Sequence, residues 1–341
     1  MHTMKAARVH ELGKVVVEEV PTPEPAPDEV LIGVQRAGIC GTDVGIKNGL
    51  IPSDFPVTLG HEFSGTVQKL GTPGLGGFSV GDRVTARSTW PCGTCMLCRQ
   101  GKGHLCGQKS DLGKTADGCF AEFVKVNHKI VYPLPPGVSF DEGQNFLNLA
   151  CAVRAFKKVP APIGKIVTVL GAGNTGLLLL QLMKLAGAHR CIMVGSRNFR
   201  LQMAERFGAD YALDFRQSNP EHSILEMYPE GTDLVAEVTG NPNALVSCGK
   251  LVREGGIILI MGIFGRPIER FDASFLYYKE PVVYASKGAA DAEIEALRLL
   301  EDKRVEVTPM ITHRFSLDEA GDAFRLFEDK DESALRIIIE P

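Results

Sequence analysis

Apolar and polar positions fall into three regimes along the chain. Through residue 150, short β-branched runs ("KVVVEEV", "EVLIGVQRAGI", "GTVQKLG", "DRVTARS", "AEFVKV") are separated by glycine and proline turns. Their spacing predicts a small barrel-like β domain. Pro23, Pro25 and Pro27, at alternate positions, predict an extended connector within it. From 151 the pattern changes. "IGKIVTVLGAGNTGLLLLQLMKLAGAHRCIMVGSRN" reads as an apolar strand, a glycine turn, a long apolar helix and a second apolar strand. Strands that are apolar throughout are covered on both faces, which predicts a parallel sheet. "DLVAEVTG" and "GGIILIMGIFG" continue it, so 151–288 is expected to be a doubly wound βαβ domain. After 288, "AEIEALRLLEDK" and "LDEAGDAFRLFEDK" carry apolar positions at i, i+3 and i+4, the spacing of amphipathic helices, and "ALRIIIEP" reads as a last strand. The tail 289–341 is expected to return to the first domain, 1–150, and complete it.

Length and composition narrow the class. A chain of 341 residues exceeds one ordinary core, in keeping with two domains. With 44% apolar and 23% charged residues it is of globular type, and a net charge of −4 lacks the basic excess of a nucleic-acid binder. The opening "MHTMKAARVHELGKVVVEEV" has no apolar run of signal-peptide or membrane-anchor type. No membrane partner is expected, and the expected location is the cytoplasm, where thiols stay reduced. Nine cysteines are an odd number, which argues against a full disulfide framework.

Four of the nine stand in "PCGTCMLCRQGKGHLC": Cys92, Cys95, Cys98 and Cys106. Cysteines separated by two residues can loop back so that neighbouring sulfurs face one ion. Four thiolates suit Zn²⁺ in a closed tetrahedral site; an iron–sulfur cluster and four free thiols are the alternatives. A closed site leaves no position for water or substrate, so this lobe is expected to be structural. Arg99, Lys102 and His104 on the same loop read as a solvated face.

"RAGICGTD" (36–43) and "LGHEFSG" (59–65) bring a different donor set. Cys40 and the His61-Glu62 pair offer thiolate, imidazole and carboxylate, the ligand types of a catalytic zinc that keeps a water position. A lone cysteine or histidine is more often a core residue. Together with "GICGTD", "LGHEFSGTV", "FSVGDRV", the four-cysteine lobe, "GCFAEFVKV", "VLGAGNTG" and "ITHRFSLDEAGDAF", however, the chain resembles the zinc-dependent medium-chain dehydrogenase/reductases over nearly its full length. That group contains alcohol, sorbitol and threonine dehydrogenases.

The resemblance implies an α/β fold: a GroES-like β-rich catalytic domain and a Rossmann doubly wound cofactor domain. It implies that Cys40, His61 and Glu62 hold the catalytic zinc, and that Thr42 bonds the substrate oxygen and passes its proton on. Asp43 helps to hold the loop. Two positions depart from the family. Its further ligand is a Glu, Cys or Asp before the first Rossmann strand, and an ungapped alignment of "VSFDEGQNFLNLACAVRAF" puts Leu147 there, with Cys151 one helical turn later. Its histidine relay, five residues after the ligand cysteine, is Gly45 here. Trp90 and Phe120 are expected near the substrate cleft, and "RFDASFLYYKEP" (270–281) along the cleft or a subunit boundary.

"GAGNTG" stands between strand and helix, the context in which a glycine fingerprint binds a dinucleotide. Gly171 permits the tight turn, Gly173 admits the pyrophosphate to the backbone, and Gly176 lets helix and strand pack, with Asn174 and Thr175 at the helix start. An NAD site carries an acid at the end of the next strand to bond the ribose 2′-hydroxyl. Here that position is Gly195, followed by Ser196 and Arg197. The trio leaves room and donors for a 2′-phosphate, so NADP(H) is expected in preference to NAD(H).

The expected function is reversible oxidation of a secondary alcohol or polyol to a ketone or aldehyde by hydride transfer to NADP, with two zinc ions per chain and a homodimer or homotetramer as the assembly. A zinc-free quinone or enone reductase on the same fold and a non-catalytic NADP-binding protein are the competing readings.

Overall fold

The computed structural model describes residues 2–265, 267–268, 271–329 and 333–341. Its elements group into two compact units: the chain up to Leu147 together with Glu293–Pro341, and Asn148–Ala292.

The first unit begins with β1 (Thr3–Val9), β2 (Val16–Pro21), β3 (Glu29–Gly38), the short helix α1 (Gly41–Lys47), β4 (Val57–Thr58), β5 (Phe63–Leu70) and β6 (Arg83–Ala86). Next come β7 (Thr89–Trp90), α2 (Met96–Arg99), β8 (Ser110–Asp111), β9 (Phe123–Asn127), β10 (Val131–Pro133) and α3 (Phe140–Gly143). The helix α4 (Phe146–Lys158) carries the chain across the division, which falls between Leu147 and Asn148.

The second unit alternates strand and helix: β11 (Ile166–Leu170), α5 (Asn174–Leu185), β12 (Arg190–Gly195), α6 (Asn198–Arg206), β13 (Tyr211–Asp214), α7 (Pro220–Met227) and β14 (Thr232–Glu237). It continues with α8 (Pro242–Leu251), β15 (Val252–Ile260), α9 (Ser274–Tyr278) and β16 (Val282–Ala285). Its six strands are all parallel, in the order β13-β12-β11-β14-β15-β16. Local chemistry starts the helices. Asn219 and Asn241 each precede a proline, and each side chain caps the first free backbone N–H groups of α7 and α8; proline at the first helical position has no N–H to lose. The leucine run of α5 is buried on nearly all sides, as an all-apolar helix must be.

The return segment adds α10 (Glu293–Glu301), β17 (Ile311–Ser316), α11 (Ala320–Glu328) and β18 (Arg336–Glu340). Strand β18 pairs with β3 and β17, so the last residues of the chain lie inside the main sheet of the first unit, ordered β10-β6-β5-β3-β18-β17 with β9 also on β3. The core of this unit is built from both ends of the chain, with Ile32, Phe63, Phe120, Phe324, Ile337 and Ile339 in one buried cluster.

Strand β18 opens on a charge. Arg336 is only 2% exposed, and every branch of its guanidinium is used. It pairs with the Glu62 carboxylate, donates to the Ile39 carbonyl at 3.1 Å, and from Nε to the Gln144 side-chain oxygen at 2.9 Å. The neighbouring backbone is shaped to admit it: a Cβ on Gly38 would stand 1.8 Å from Arg336 Nη2. A buried guanidinium is tolerated only when so satisfied, and removing it strands the carboxylate. Arg336→Met is therefore expected to destabilise the chelator-treated protein by about 3–5 kcal/mol in denaturant unfolding. Adding Glu62→Gln to that variant should recover part of the loss; additive losses would mean that the pair is not coupled.

Candidate metal and cofactor sites

Cys40 ends the extended segment after β3 and serves as N-cap of α1. Asp43, at the third helical position and fully buried, reaches back to it: Oδ2 accepts the Cys40 backbone N–H at 2.9 Å. The other carboxylate oxygen, Oδ1, lies 2.9 Å from His61 Nδ1. A carboxylate can only accept, so Nδ1 carries a proton, and loss of the ring's other proton would leave the Nε2 lone pair to a metal. Nε2 faces Glu62 Oε1 at 3.6 Å. The ligand atoms of Cys40, His61 and Glu62 all lie within 4.8 Å of one another. One acidic residue thus ties the cysteine loop to the histidine loop, a link the sequence reading had confined to the loop itself.

The turn that presents His61 depends on Gly60, whose φ is +95°. A Cβ there would strike the Phe120 ring at 2.8 Å and Cys119 Sγ at 2.9 Å. Phe120 is wholly buried and stands edge-on to Phe324. It supports the histidine turn from the core. Trp90 is half-buried in β7 and packs against the same core. Gly45 has Ile51 against it: a Cβ would come within 2.9 Å of Ile51 Cδ1, so a histidine relay has no ready space.

Charge follows the burial. Burial pushes the Cys40 thiol up, and the Glu62 carboxylate adds to that. For His61 burial works against the charged ring, yet Asp43 at Nδ1 and the Cys40 sulfur hold its pKa well above the ordinary value. Two anionic groups around one imidazole, with a third donor alongside, form a pocket that favours a cation. The donor set (thiolate, imidazole, carboxylate) and the carboxylate behind the histidine suit zinc with one position left open. Thr42 is on the first turn of α1, and its side-chain hydroxyl makes no hydrogen bond to another described residue. Leu147 is buried and apolar at the end of the first unit; Cys151 belongs to the second.

In the lobe, Cys95 caps α2, Cys98 lies within it, and Cys106 follows a short helical turn at Gly103–Leu105. All four cysteines are free thiols. Sulfur separations are 3.9 Å for Cys92–Cys98, 3.4 Å for Cys95–Cys98, 3.8 Å for Cys95–Cys106 and 3.5 Å for Cys92–Cys106. A tetrahedral ion with metal–sulfur bonds of about 2.3 Å spaces its ligands at about 3.8 Å, so the four sulfurs fit zinc. Backbone N–H groups of Thr94 and Cys95 pull the Cys92 thiol down to about 6. Desolvation and the facing sulfur of Cys95 push that of Cys98 up to about 12.

The glycine turn lies between β11 and α5, where the strand order reverses from β12 on one side to β14 on the other. In open α/β sheets ligands bind at that switch point. Gly171 has φ +122° and a Cβ there would meet Thr239 Cγ2 at 2.7 Å; one on Gly176 would stand 1.9 Å from the Gly171 carbonyl oxygen. Gly173, by contrast, has open space where a Cβ would be. It is the N-cap of α5 and offers no side chain to its N–H groups, so a phosphate has both room and donors. Asn174, Thr175 and Gly176 form the first turn of that helix.

Gly195 ends β12, and its carbonyl accepts the Phe215 N–H at 3.0 Å. A Cβ at 195 would lie 2.7 Å from Ala172 Cβ. Ser196 follows, and Arg197 takes φ +69°, a conformation that side chains rarely adopt, at the N-cap of α6. At the end of β14, Glu237 Oε1 accepts the N–H groups of Thr239 at 2.7 Å and Gly240 at 2.9 Å together with the Thr239 hydroxyl. Burial pushes its pKa up. It fixes Thr239 against Gly171, a role that a lone acid in "DLVAEVTG" does not announce. Of the segment 270–281, Arg270 lies outside the described residues.

Comparison with known proteins gives these sites their context. The alcohol dehydrogenase GroES-like domain family matches residues 26–136, and the zinc-binding dehydrogenase family residues 175–302. A sorbitol dehydrogenase of Halalkalibacterium halodurans is 34% identical over 97% of both chains. A protein of Sinorhizobium meliloti assigned as a zinc-binding dehydrogenase, solved bound to NADP, covers 100% of both chains at 31% identity with a TM-score of 0.94. The 2R,3R-butanediol dehydrogenase of Bacillus subtilis is 29% identical over 99% of both chains, with a TM-score of 0.89. The β-rich first unit and the parallel-sheet second unit are the GroES-like and Rossmann parts of one fold, and the chain belongs to the zinc-type medium-chain dehydrogenase/reductases as an enzyme of their alcohol and polyol dehydrogenase group.

Proposed function

We propose that the protein reversibly oxidises a secondary alcohol or polyol to the carbonyl compound, with NADP as hydride acceptor. The observation that carries this reading is the convergence of Cys40, His61 and Glu62 on one point, with Thr42 on the adjoining turn. When bound, zinc at this point supplies a Lewis acid for the substrate oxygen, and the nicotinamide supplies the place for the hydride. The chain's own work is to position and to handle the proton. Thr42 accepts the hydroxyl proton of the alcohol and hands it onward. With glycine at 45 the exit from Thr42 runs through water. Asp43 keeps His61 oriented with Nε2 inward, and Arg336 holds one oxygen of Glu62, leaving Oε1 toward the site. The names of the relatives (sorbitol, butanediol) favour vicinal polyols as substrates.

Zinc at the four-cysteine lobe makes two per chain and staples the loop without taking part in the chemistry. The preference for NADP rests on Gly195, Ser196 and Arg197, supported by the NADP-bound neighbour. The strand β16 lies at the edge of the parallel sheet with Val282 and Val283 nearly half-exposed, and Tyr277 and Tyr278 of α9 are 80% and 74% exposed. An apolar unpaired edge of this kind favours a homodimer by sheet extension, with a tetramer built from such dimers. Nine free thiols favour the cytoplasm. Among the described residues no helix is long and apolar enough to cross a membrane.

Metal content and turnover on one sample test the reading. Two zinc ions per chain with NADP-linked oxidation of polyols or secondary alcohols is expected. One zinc with reduction of enones or quinones would replace it by the zinc-free reductase, and one zinc without any turnover by a binding protein. The cofactor preference has its own test in Arg197→Gly. Glycine relieves the positive φ, so melting should hold or rise, while the NADP-over-NAD ratio of kcat/KM falls by about tenfold, the worth of one hydrogen bond to a charged group. An unchanged ratio would remove Arg197 from phosphate recognition.

A further inference from the structure

Asn148 opens the second unit on α4, and nothing in the chemistry above uses it. It is 8% exposed. Its side-chain oxygen accepts the Thr175 hydroxyl at a long 3.4 Å, while its amide nitrogen, shut off from water, has no partner among the described residues. Thr175 is the second residue of α5, two positions after Gly173, the N-cap that offers no side chain. A polar carboxamide in a helix that otherwise turns Leu149, Ala150, Ala152 and Val153 inward is costly. An amide nitrogen left unpaired there is the more expensive of its two ends.

Oxygen and nitrogen of a carboxamide have nearly the same shape and exchange by a half-turn. After that turn Nδ2 donates to Thr175 Oγ1, and the atom short of partners is a carbonyl oxygen, which proteins bury more readily. The consequence lies in the hydroxyl. A threonine hydroxyl can accept one bond and donate another. While it donates to Asn148 its proton is spent; once it accepts from Asn148 its proton is free. It then sits at the N-terminal end of α5, which no N-cap side chain closes and where the helix dipole favours an anion.

We propose that Asn148 is a positioning residue for the nicotinamide cofactor: by donating to Thr175 it turns the Thr175 hydroxyl into a further donor to the pyrophosphate. The proposal rests on the reading of the glycine turn as the cofactor site. Thr175 touches the ligand, and Asn148 acts through it. The orphaned amide is kept because it serves the ligand, not the empty protein.

Titration of NADPH into the metal-loaded protein without substrate, followed by cofactor fluorescence, tests this alongside melting of the cofactor-free protein. Asn148→Leu should raise the Kd by about tenfold while melting holds or rises, since an unpaired donor has been removed. Thr175→Val should match it, Thr175→Ser should retain wild-type binding, and the Asn148→Leu/Thr175→Val double variant should bind no worse than either single one. A purely structural asparagine would instead lower melting and leave the Kd alone, which overturns the proposal, as does a normal Kd in Thr175→Val. If Asn148→Leu does not fold, Asn148→Asp decides: the same shape without a donor should still weaken binding, and unaltered affinity refutes the role. Wild-type protein that binds neither NADPH nor NADH would overturn the cofactor reading and this proposal with it. Normal wild-type binding with unaltered variants overturns the proposal alone.

Discussion

A single buried guanidinium organises the catalytic half of the molecule. Arg336 comes from the last strand, yet its partners are Glu62 of the metal-type cluster, the Ile39 carbonyl just before Cys40, and Gln144 just before α4. Three loops that carry the site thus meet one side chain delivered by the C-terminal strand. Such a pair gains little net stability over a well-packed apolar substitute, because two charges must leave water. What it supplies is geometry. One Glu62 oxygen is spoken for, and the other is held toward His61. The return of residues 293–341 to the first unit is therefore part of the site and not merely part of the core.

Asp43 does for the ring what Arg336 does for the carboxylate. Its two oxygens are divided between the Cys40 backbone and His61 Nδ1. The cap of a short helix and the orientation of the His61 ring are consequently one constraint, so any change that unwinds the start of α1 also frees the ring. The four-cysteine lobe is organised differently. Its sulfurs come from fifteen consecutive residues, and its turns alone bring them to metal spacing. That difference separates a clamp that needs only its own loop from a centre that needs the entire first unit.

The same difference explains what could be read in advance. The lobe, the glycine turn and the parallel strands depend on residues near one another in sequence, and spacing and periodicity reported them. The metal-type pocket was legible only because several motifs occur in a fixed order; "HE" by itself says nothing of Asp43 at Nδ1. Arg336 and Gln144 escaped notice because each is one polar residue at the border of an apolar run, and its meaning lies in a partner 192 or 274 positions away. Asn148 escaped for the same reason. A charge or carboxamide that opens a strand or helix otherwise buried was the available signal.

In the second unit, the glycine at the end of β12 is more than the absence of an acid. A Cβ at 195 would run into Ala172 of the glycine turn, so the end of β12 and the glycine turn are packed directly against each other. An acid can be accommodated there only if the turn shifts or residue 172 loses its own Cβ. The neighbouring Arg197 holds a backbone conformation that costs of order 1–3 kcal/mol and persists only where its surroundings enforce it. Within three residues, then, one position has no space for a Cβ and another holds a costly backbone conformation. Strain of this kind concentrates at functional sites, where the surroundings over-determine the backbone.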